Sequence, residues 1–197
     1  MTTNTPRKSH HHGNLRAALV QAGIDILGSE GLPGLTLRKC AARAGVSHAA
    51  PAHHFDGVDG LRIAIACEGF DRFRAAMLDA AAQSPATPRA QLKAIARGYL
   101  AFARAEPALY DLIFSFRGKL GLNDALELAS APAYQVLRDT CAPFVPPGTD
   151  PVVIETQVWA LMHGYVLLLF SGRFHETGAP DDGILALLDR VGTDPTP

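Results

Sequence analysis

The stretch Thr36-Leu-Arg-Lys-Cys-Ala-Ala-Arg-Ala-Gly-Val-Ser-His-Ala-Ala-Pro-Ala-His-His-Phe55 decides how the chain is read. Thr36 is a residue that caps a helix, and the short helix after it carries Leu37, Cys40, Ala41 and Ala44 before Gly45 stops it. A helix-turn-helix needs a small residue where its two helices cross, and Ala41 stands there. It needs a residue that tolerates positive φ at the turn, an apolar plug and a cap for the next helix. Gly45, Val46 and Ser47 supply these in register. Such a unit lays its second helix in the major groove of DNA while the first crosses the backbone. Here the second helix spans Ser47 to about Phe55, and Ser47, His48, Ala49 and Ala50 at its start reach base edges, the alanines against thymine methyls. A corner between two helices of an ordinary bundle uses the same glycine, so the motif alone leaves both readings open.

Outward from this stretch, nearly every segment has helical periodicity. Asn14 caps a helix whose apolar positions are Leu15, Ala18, Leu19, Ala22 and Ile26, ending at Gly28 to Gly31. After Asp56-Gly57 a long pattern runs from Val58 to Ala82, the length of a connecting helix. Ser84-Pro85-Ala86-Thr87-Pro88 then breaks the chain. Helices are expected over about 88–105, 107–116, 123–144, 151–175 and 180–191. The fold class is therefore all-α: an N-terminal three-helix domain containing the helix-turn-helix, joined by a long helix to a C-terminal helical bundle. The expected divisions are a basic, histidine-rich arm over 1–13, a DNA-binding domain over 14–57, the connecting helix over 58–83 and a ligand-binding and dimerisation domain over 84–197.

Composition narrows the function classes. The 197 residues are 48% hydrophobic and 19% charged, with a mean hydropathy of +0.09, which suits a folded chain that hides surface, for instance against a second subunit. The most apolar run, Val158 to Phe170, is shorter than the roughly 20 residues that span a bilayer and contains His163 and Gly164, so no membrane partner is expected. The polar N-terminus lacks the apolar core of a signal peptide. Cys40, Cys67 and Cys141 are odd in number and widely spaced, as expected of buried thiols in a reducing cytoplasm. Net charge is -1, yet residues 1–55 hold six cations against two carboxylates, a local +4, and six of the eight histidines. The remainder is -5. This basic bias is what a phosphate-facing segment requires, although a +4 excess is also within the reach of chance.

At this point the chain resembles a known family. His11-His12-Gly13-Asn14-Leu15-Arg16 and then Thr36 to Phe55 are similar to the N-terminal domain of tetracycline-repressor-like (TetR) transcriptional regulators over about residues 11–70. Trp159-Ala-Leu-Met-His163-Gly164, with Glu106-Pro107-Ala108-Leu109-Tyr110, resembles a subgroup with a C-terminal Trp-x-x-x-His-Gly pattern. The resemblance implies an all-α homodimer with an N-terminal DNA reader and a C-terminal domain that senses a small molecule and dimerises. Two departures stand out. Family members have tyrosine where this chain has Ala52 and lysine where it has Val58, and both of those side chains bind phosphate. Their absence removes two positioning contacts per subunit, about one unit each of salt slope. His53, Arg62 or the arm from Arg7 to His12 are the candidates to restore them.

The expected DNA contacts are thus His11, His12, Thr36, Arg38, Ser47, His48, Ala49, Ala50, His53 and His54. Three adjacent histidines cannot converge on one ion, and His48, His53 and His54 lack the i, i+4 spacing of a zinc pair, so no metal is expected. No cofactor motif is present either. Aromatic or polar-tipped residues on helices expected to face inward make the ligand set: Tyr99, Phe102, Tyr110, Phe114, Phe116, Trp159, Met162 and His163. His163 reads equally as a satisfied core histidine. Dimer contacts are expected from the last two helices, at Tyr165, Leu168, Leu169, Ile184, Leu187 and Leu188. No G-x-S-x-G, H-E-x-x-H or phosphate-binding glycine motif supports an enzyme. The function expected is a cytoplasmic repressor, released from a palindromic double-stranded operator by an unidentified small-molecule effector. The alternative is a regulator-derived dimeric module that binds ligand or a partner, with weak operator affinity because of Ala52 and Val58.

Overall fold

The computed structural model describes residues 15–115, 124–172 and 181–192, and within these the chain is helix and turn without strand. His11, His12, Asn14 and Phe116 lie outside the described residues. The chain divides into two compact units, the first ending at Glu68 and the second starting at Gly69. The all-α class expected from the sequence is the one observed.

In the first unit, α1 (Leu15–Gly34) buries Leu19, Val20, Ala22, Ile24, Ile26 and Leu27. Its regular part ends where Gly31 takes φ 70° and Pro33 follows. α2 (Leu37–Arg43) packs on it with Cys40 and Ala41 fully buried. A 3-10 turn (Ala50–His53) comes next, then the first half of α3 (Gly57–Ala82), which adds Leu61 and Ile65 to the core.

The second unit holds the rest of α3, α4 (Pro88–Ala105), α5 (Pro107–Ser115), α6 (Asp124–Cys141), α7 (Pro151–Phe170) and α8 (Asp181–Leu187). Prolines set several starts. Pro88 and Pro151 stand in the first turn, where the missing N–H would have no helical partner, and Asp150 accepts from Val152 N at 3.0 Å to cap α7. α3 and α4 approach so closely that a Cβ at Gly98 would lie 2.3 Å from the Ala76 carbonyl oxygen and 2.6 Å from Met77 Cα. Three cations of α4 hold the C-terminal segment: Arg104 grips Asp181 at 2.5 and 2.7 Å, Lys93 meets Asp189 at 2.6 Å, and Arg89 donates to the carbonyls of Leu188 and Val191 while stacking 4.1 Å from the Phe144 ring. The helices expected at 151–175 and 180–191 are shorter, ending at Phe170 and, through a 3-10 turn, at Arg190.

α7 is a continuous 20-residue helix containing an 18-residue window of mean hydropathy 1.5, so by length and composition alone it is able to cross a membrane, a test that the core helix of a soluble protein also passes. Ile154, Val158, Met162 and Val166 are buried in the second unit, whereas Trp159, Leu167, Leu168 and Phe170 are exposed. That two-sided apolarity raises its mean hydropathy.

Candidate functional site

The turn of the first unit is closed as the sequence requires. Thr36 Oγ1 accepts from Lys39 N at 3.2 Å, capping α2. At the other end, Gly45 takes φ 68°, its N–H donates to Ala42 O at 3.2 Å, and Val46 N donates to Ala41 O at 3.0 Å. These two bonds form a Schellman motif, which only a residue at ease with positive φ closes without strain.

The next segment departs from the expected helix capped by Ser47. Ser47 makes no side-chain cap, and its carbonyl accepts from Ala50 N at 3.0 Å, three residues on. The reason is Pro51. An α-helix starting at Ser47 needs the N–H of residue 51 to reach the Ser47 carbonyl, and proline has none. The chain tightens into i→i+3 bonds instead, and Ala50–His53 is a single 3-10 turn. Pro51 and Phe55 are buried and anchor it, with Arg16 over the Phe55 ring at 5.5 Å. Ser47, His48, Ala49, Ala52 and His53 are exposed, as are Thr36 and Arg38, while Ala50 and His54 are half-buried.

The charge excess is partly neutralised within the unit. Lys39 is paired with Glu30, and Arg43 Nε lies 3.3 Å from Asp25 Oδ2, so both carboxylates of residues 1–55 sit against cations of α2. Among the described residues, Arg38 has no carboxylate in pairing distance.

In the second unit, a cavity opens between α3, α4, α5, α6 and α7. It is lined by Phe70, Phe73, Met77, Ile95, Ala96, Tyr99, Phe114, Ser130, Ala133, Tyr134, Leu137, Val158, Trp159 and Met162, and its empty space counted out to the open mouth is about 560 Å3. Phe73 is the centre of the aromatic wall, with the rings of Tyr99, Phe102 and Phe114 at 5.0, 5.4 and 5.5 Å in edge-on or tilted contacts. Trp159 stands 38% exposed with Tyr134 beside it at 5.9 Å.

Several polar atoms near this cavity are bonded to one another. Tyr99 Oη, Tyr110 Oη and His163 Nδ1 form a triangle with sides of 2.9, 3.0 and 2.8 Å. Burial lowers the His163 pKa, which favours the neutral ring with Nδ1 as acceptor. Burial also pushes Tyr99 up and Tyr110 up to about 12, so both phenols keep their protons. Tyr134 donates to Glu155, which is only 4% exposed and has Arg138 Nε at 3.8 Å. Ser130 Oγ donates to the Glu127 carbonyl at 3.1 Å.

Of the expected ligand residues, the cavity is lined by Tyr99, Phe114, Trp159 and Met162. Phe102 packs behind Phe73, and Tyr110 and His163 stand behind Tyr99, holding its hydroxyl. Sequence reasoning does not find Phe70, Phe73 and Met77, whose helix has the length of a connector, nor the α6 wall. A signal for the former exists: Phe70, Phe73 and Met77 fall at i, i+3, i+7. Of the expected dimer residues, Leu168 and Leu187 are exposed and Leu169 is half-buried, but Tyr165, Ile184 and Leu188 lie in the chain's own core. They are the inward residues of an amphipathic pattern, which cannot say by itself which apolar face meets which neighbour. Tyr165 is moreover tied to Asp181, 3.2 Å from its hydroxyl.

Comparison with known proteins gives the family and the fold. Residues 92–191 match the family model of the tetracyclin repressor-like C-terminal domain. None of the curated proteins compared with the chain matches it. Among solved structures, a protein of unknown function from Rhodococcus sp. RHA1 is similar over 94% of this chain and 97% of its own, with 31% identity and a TM-score of 0.80. A TetR family transcription regulator from Marinobacter aquaeolei VT8 has 16% identity over 92% of this chain and 97% of its own, with a TM-score of 0.69. The regulator FadR of Bacillus subtilis, solved in complex with stearoyl-CoA, has 15% identity over 87% of this chain and 96% of its own, with a TM-score of 0.68. These two show a shared fold. With the family model covering half of its length, the chain belongs to the tetracycline-repressor-like family, and its fold is that of a DNA-binding, ligand-binding transcription regulator.

Proposed function

We propose that the protein is a cytoplasmic repressor that leaves a palindromic operator when a small molecule enters the cavity of the second unit. The observation that carries this reading is the Schellman-closed turn at Gly45, which presents Ser47, His48, Ala49 and His53 to solvent. Thr36 and Arg38 at the start of α2 are the proposed phosphate contacts, with His11 and His12 of the arm. Ser47, His48, Ala49, Ala50, His53 and His54 are the proposed base-reading or backbone contacts. Two such readers in a homodimer ask for half-sites about 34–36 Å apart or a multiple of that. The divisions at 13, 57 and 83 are proposed as arm, reader, connector and ligand-binding domain.

The partner chain is assigned to the outer face of α7 and to α8, where Leu167, Leu168, Phe170 and Leu187 are exposed and Gly164 has open space around it. Trp159 and His163, four residues apart on that helix, support membership of the Trp-x-x-x-His-Gly subgroup. FadR, which shares the fold, was solved in complex with stearoyl-CoA, a molecule with a long apolar acyl chain on a charged head. A ligand shifts DNA binding only by its differential affinity for two conformations. No catalytic role is assigned to any residue.

One observation favours the alternative module with weak operator affinity. The reading segment is a single 3-10 turn, and Ala52, exposed on it, offers no group for phosphate. Selection of bound fragments from random DNA by the purified protein, followed by binding at two salt concentrations, decides between them. An enriched palindrome with affinity falling as salt rises supports the repressor. Weak, sequence-independent binding supports the module.

A further inference from the structure

We infer that protonation of His48 and His53, on the turn that follows Gly45, governs how tightly the first unit holds DNA. The inference rests on the reading of this unit as a DNA reader and names the regulation of that site.

The turn's composition and its exposure carry this together. From Ala44 to Phe55 the ionisable side chains are His48, His53 and His54, with no Arg, Lys, Asp or Glu among them. Pro51 and Phe55 anchor the turn in the core, and His48 and His53 are exposed beside Ser47, Ala49 and Ala52. His54 is half-buried, its ring 6.4 Å from that of Phe55. The charge on the exposed surface of this turn is therefore histidine charge. Histidine is the side chain that ordinarily changes charge between pH 5 and 8.

The surrounding groups make that charge count. Residues 15–68 hold five cations and five carboxylates. On the elements packed around the turn, Lys39 is paired with Glu30, Arg43 with Asp25 and Arg62 with Asp59, while Arg16 lies over the Phe55 ring. Asp56, exposed just past the turn, opposes phosphate, and Arg38, exposed at the start of α2, attracts it at every pH. With neutral histidines the charges of residues 15–68 cancel, so protons on His48 and His53 change the attraction from near zero to a net positive one. A phosphate beside an imidazole favours its charged form. The sign follows by linkage. The bound state holds more protons than the free one, so affinity rises as pH falls through the histidine range and is lost as pH rises above it.

Anisotropy titrations of one labelled duplex at pH 7.5 and 6.0, at matched ionic strength, test this. The probe is a palindrome selected from random DNA or, where none is enriched, a random-sequence duplex. The wild type is expected to bind about tenfold tighter at pH 6.0, with a steeper dependence on salt. His48→Gln with His53→Gln should cut that ratio to about threefold or less, whatever the absolute affinity of the variant. Both side chains are exposed, so the core is untouched. Arg38→Ala should weaken binding by the same factor at both pH values, because its charge does not titrate there. Equal wild-type affinity at the two pH values, or an undiminished ratio in the double variant, overturns the inference and leaves the DNA reader standing. Binding of no duplex at either pH overturns both.

Discussion

The hydroxyl of Tyr110 lies 2.8 Å from Nδ1 of His163, joining α5 to the middle of α7, and the hydroxyl of Tyr99 lies 3.0 Å from the same nitrogen. Either phenol alone can satisfy that acceptor. Tyr99→Phe and Tyr110→Phe are therefore each expected to lower unfolding free energy by about 1 kcal/mol, and the double variant by at least about 0.5 kcal/mol more than the sum. Urea unfolding of the four proteins measures the coupling. Simple additivity would show that the triangle does not act as a unit.

Acid should act in two windows. Burial holds the His163 pKa below its ordinary 6.5, so the unfolded chain takes up a proton that the folded one resists. Stability then declines as pH falls below 6.5 toward the folded value, and His163→Asn should flatten this part of the profile. Arg104 holds the Asp181 pKa below 3.8, so that pair stabilises above 3.8 and its contribution goes as pH falls through the lowered value. Arg104→Ala should remove the second decline and leave the first, as read from unfolding midpoints across pH.

Two glycine substitutions should have opposite signs. A Cβ at Gly98 meets the backbone of Ala76 and Met77, which cannot move without parting α3 from α4, so Gly98→Ala should cost about 3 kcal/mol or more. Gly28 is an exposed position in α1 with nothing within 4 Å of an added Cβ, and Gly28→Ala should stabilise by roughly 0.5–1 kcal/mol. Thermal unfolding of both variants is sufficient.

Thiol reactivity should be confined. Burial raises the pKa of Cys40, and burial with the nearby Glu155 pushes Cys141 up to about 12. At pH 8 an aromatic disulfide reagent should modify only the half-buried Cys67 in the native protein and all three thiols after unfolding. Rapid reaction at Cys141 would contradict the packing of α6.

If the reader binds DNA as proposed, Arg38→Ala should reduce the salt slope by about one unit per subunit. Glu30→Gln, which frees Lys39 from its pair, should steepen it.

Much of this molecule is written locally. The cap at Thr36, the burial of Ala41 and the positive φ at Gly45 depend on a few neighbouring residues, and each is found where the spacing placed it. The effect of Pro51 is equally local: Ser47 has the chemistry of a cap, but residue 51 has no N–H to give its carbonyl, and the turn tightens instead. Outside the segment 47–55, apolar periodicity likewise located the helices to within a few residues of their observed ends. It did not say which face meets what: Tyr165, Ile184 and Leu188, read as partner contacts, are core, while Trp159 is half open at a cavity.

By itself, then, the sequence determined the helices, the turn at Gly45 and the basic bias of the first 55 residues, since these depend on φ preference, i to i+4 bonding and charge counts along the chain. Only the tertiary structure decided the cavity and its polar corner. Phe73, Tyr99, Tyr110, Ala133 and His163 come from α3, α4, α5, α6 and α7, and a hydrogen bond between residues 64 apart has no periodicity to announce it. Where helices cross is settled by how closely two backbones can approach, as at Gly98, and that depends on every side chain between them.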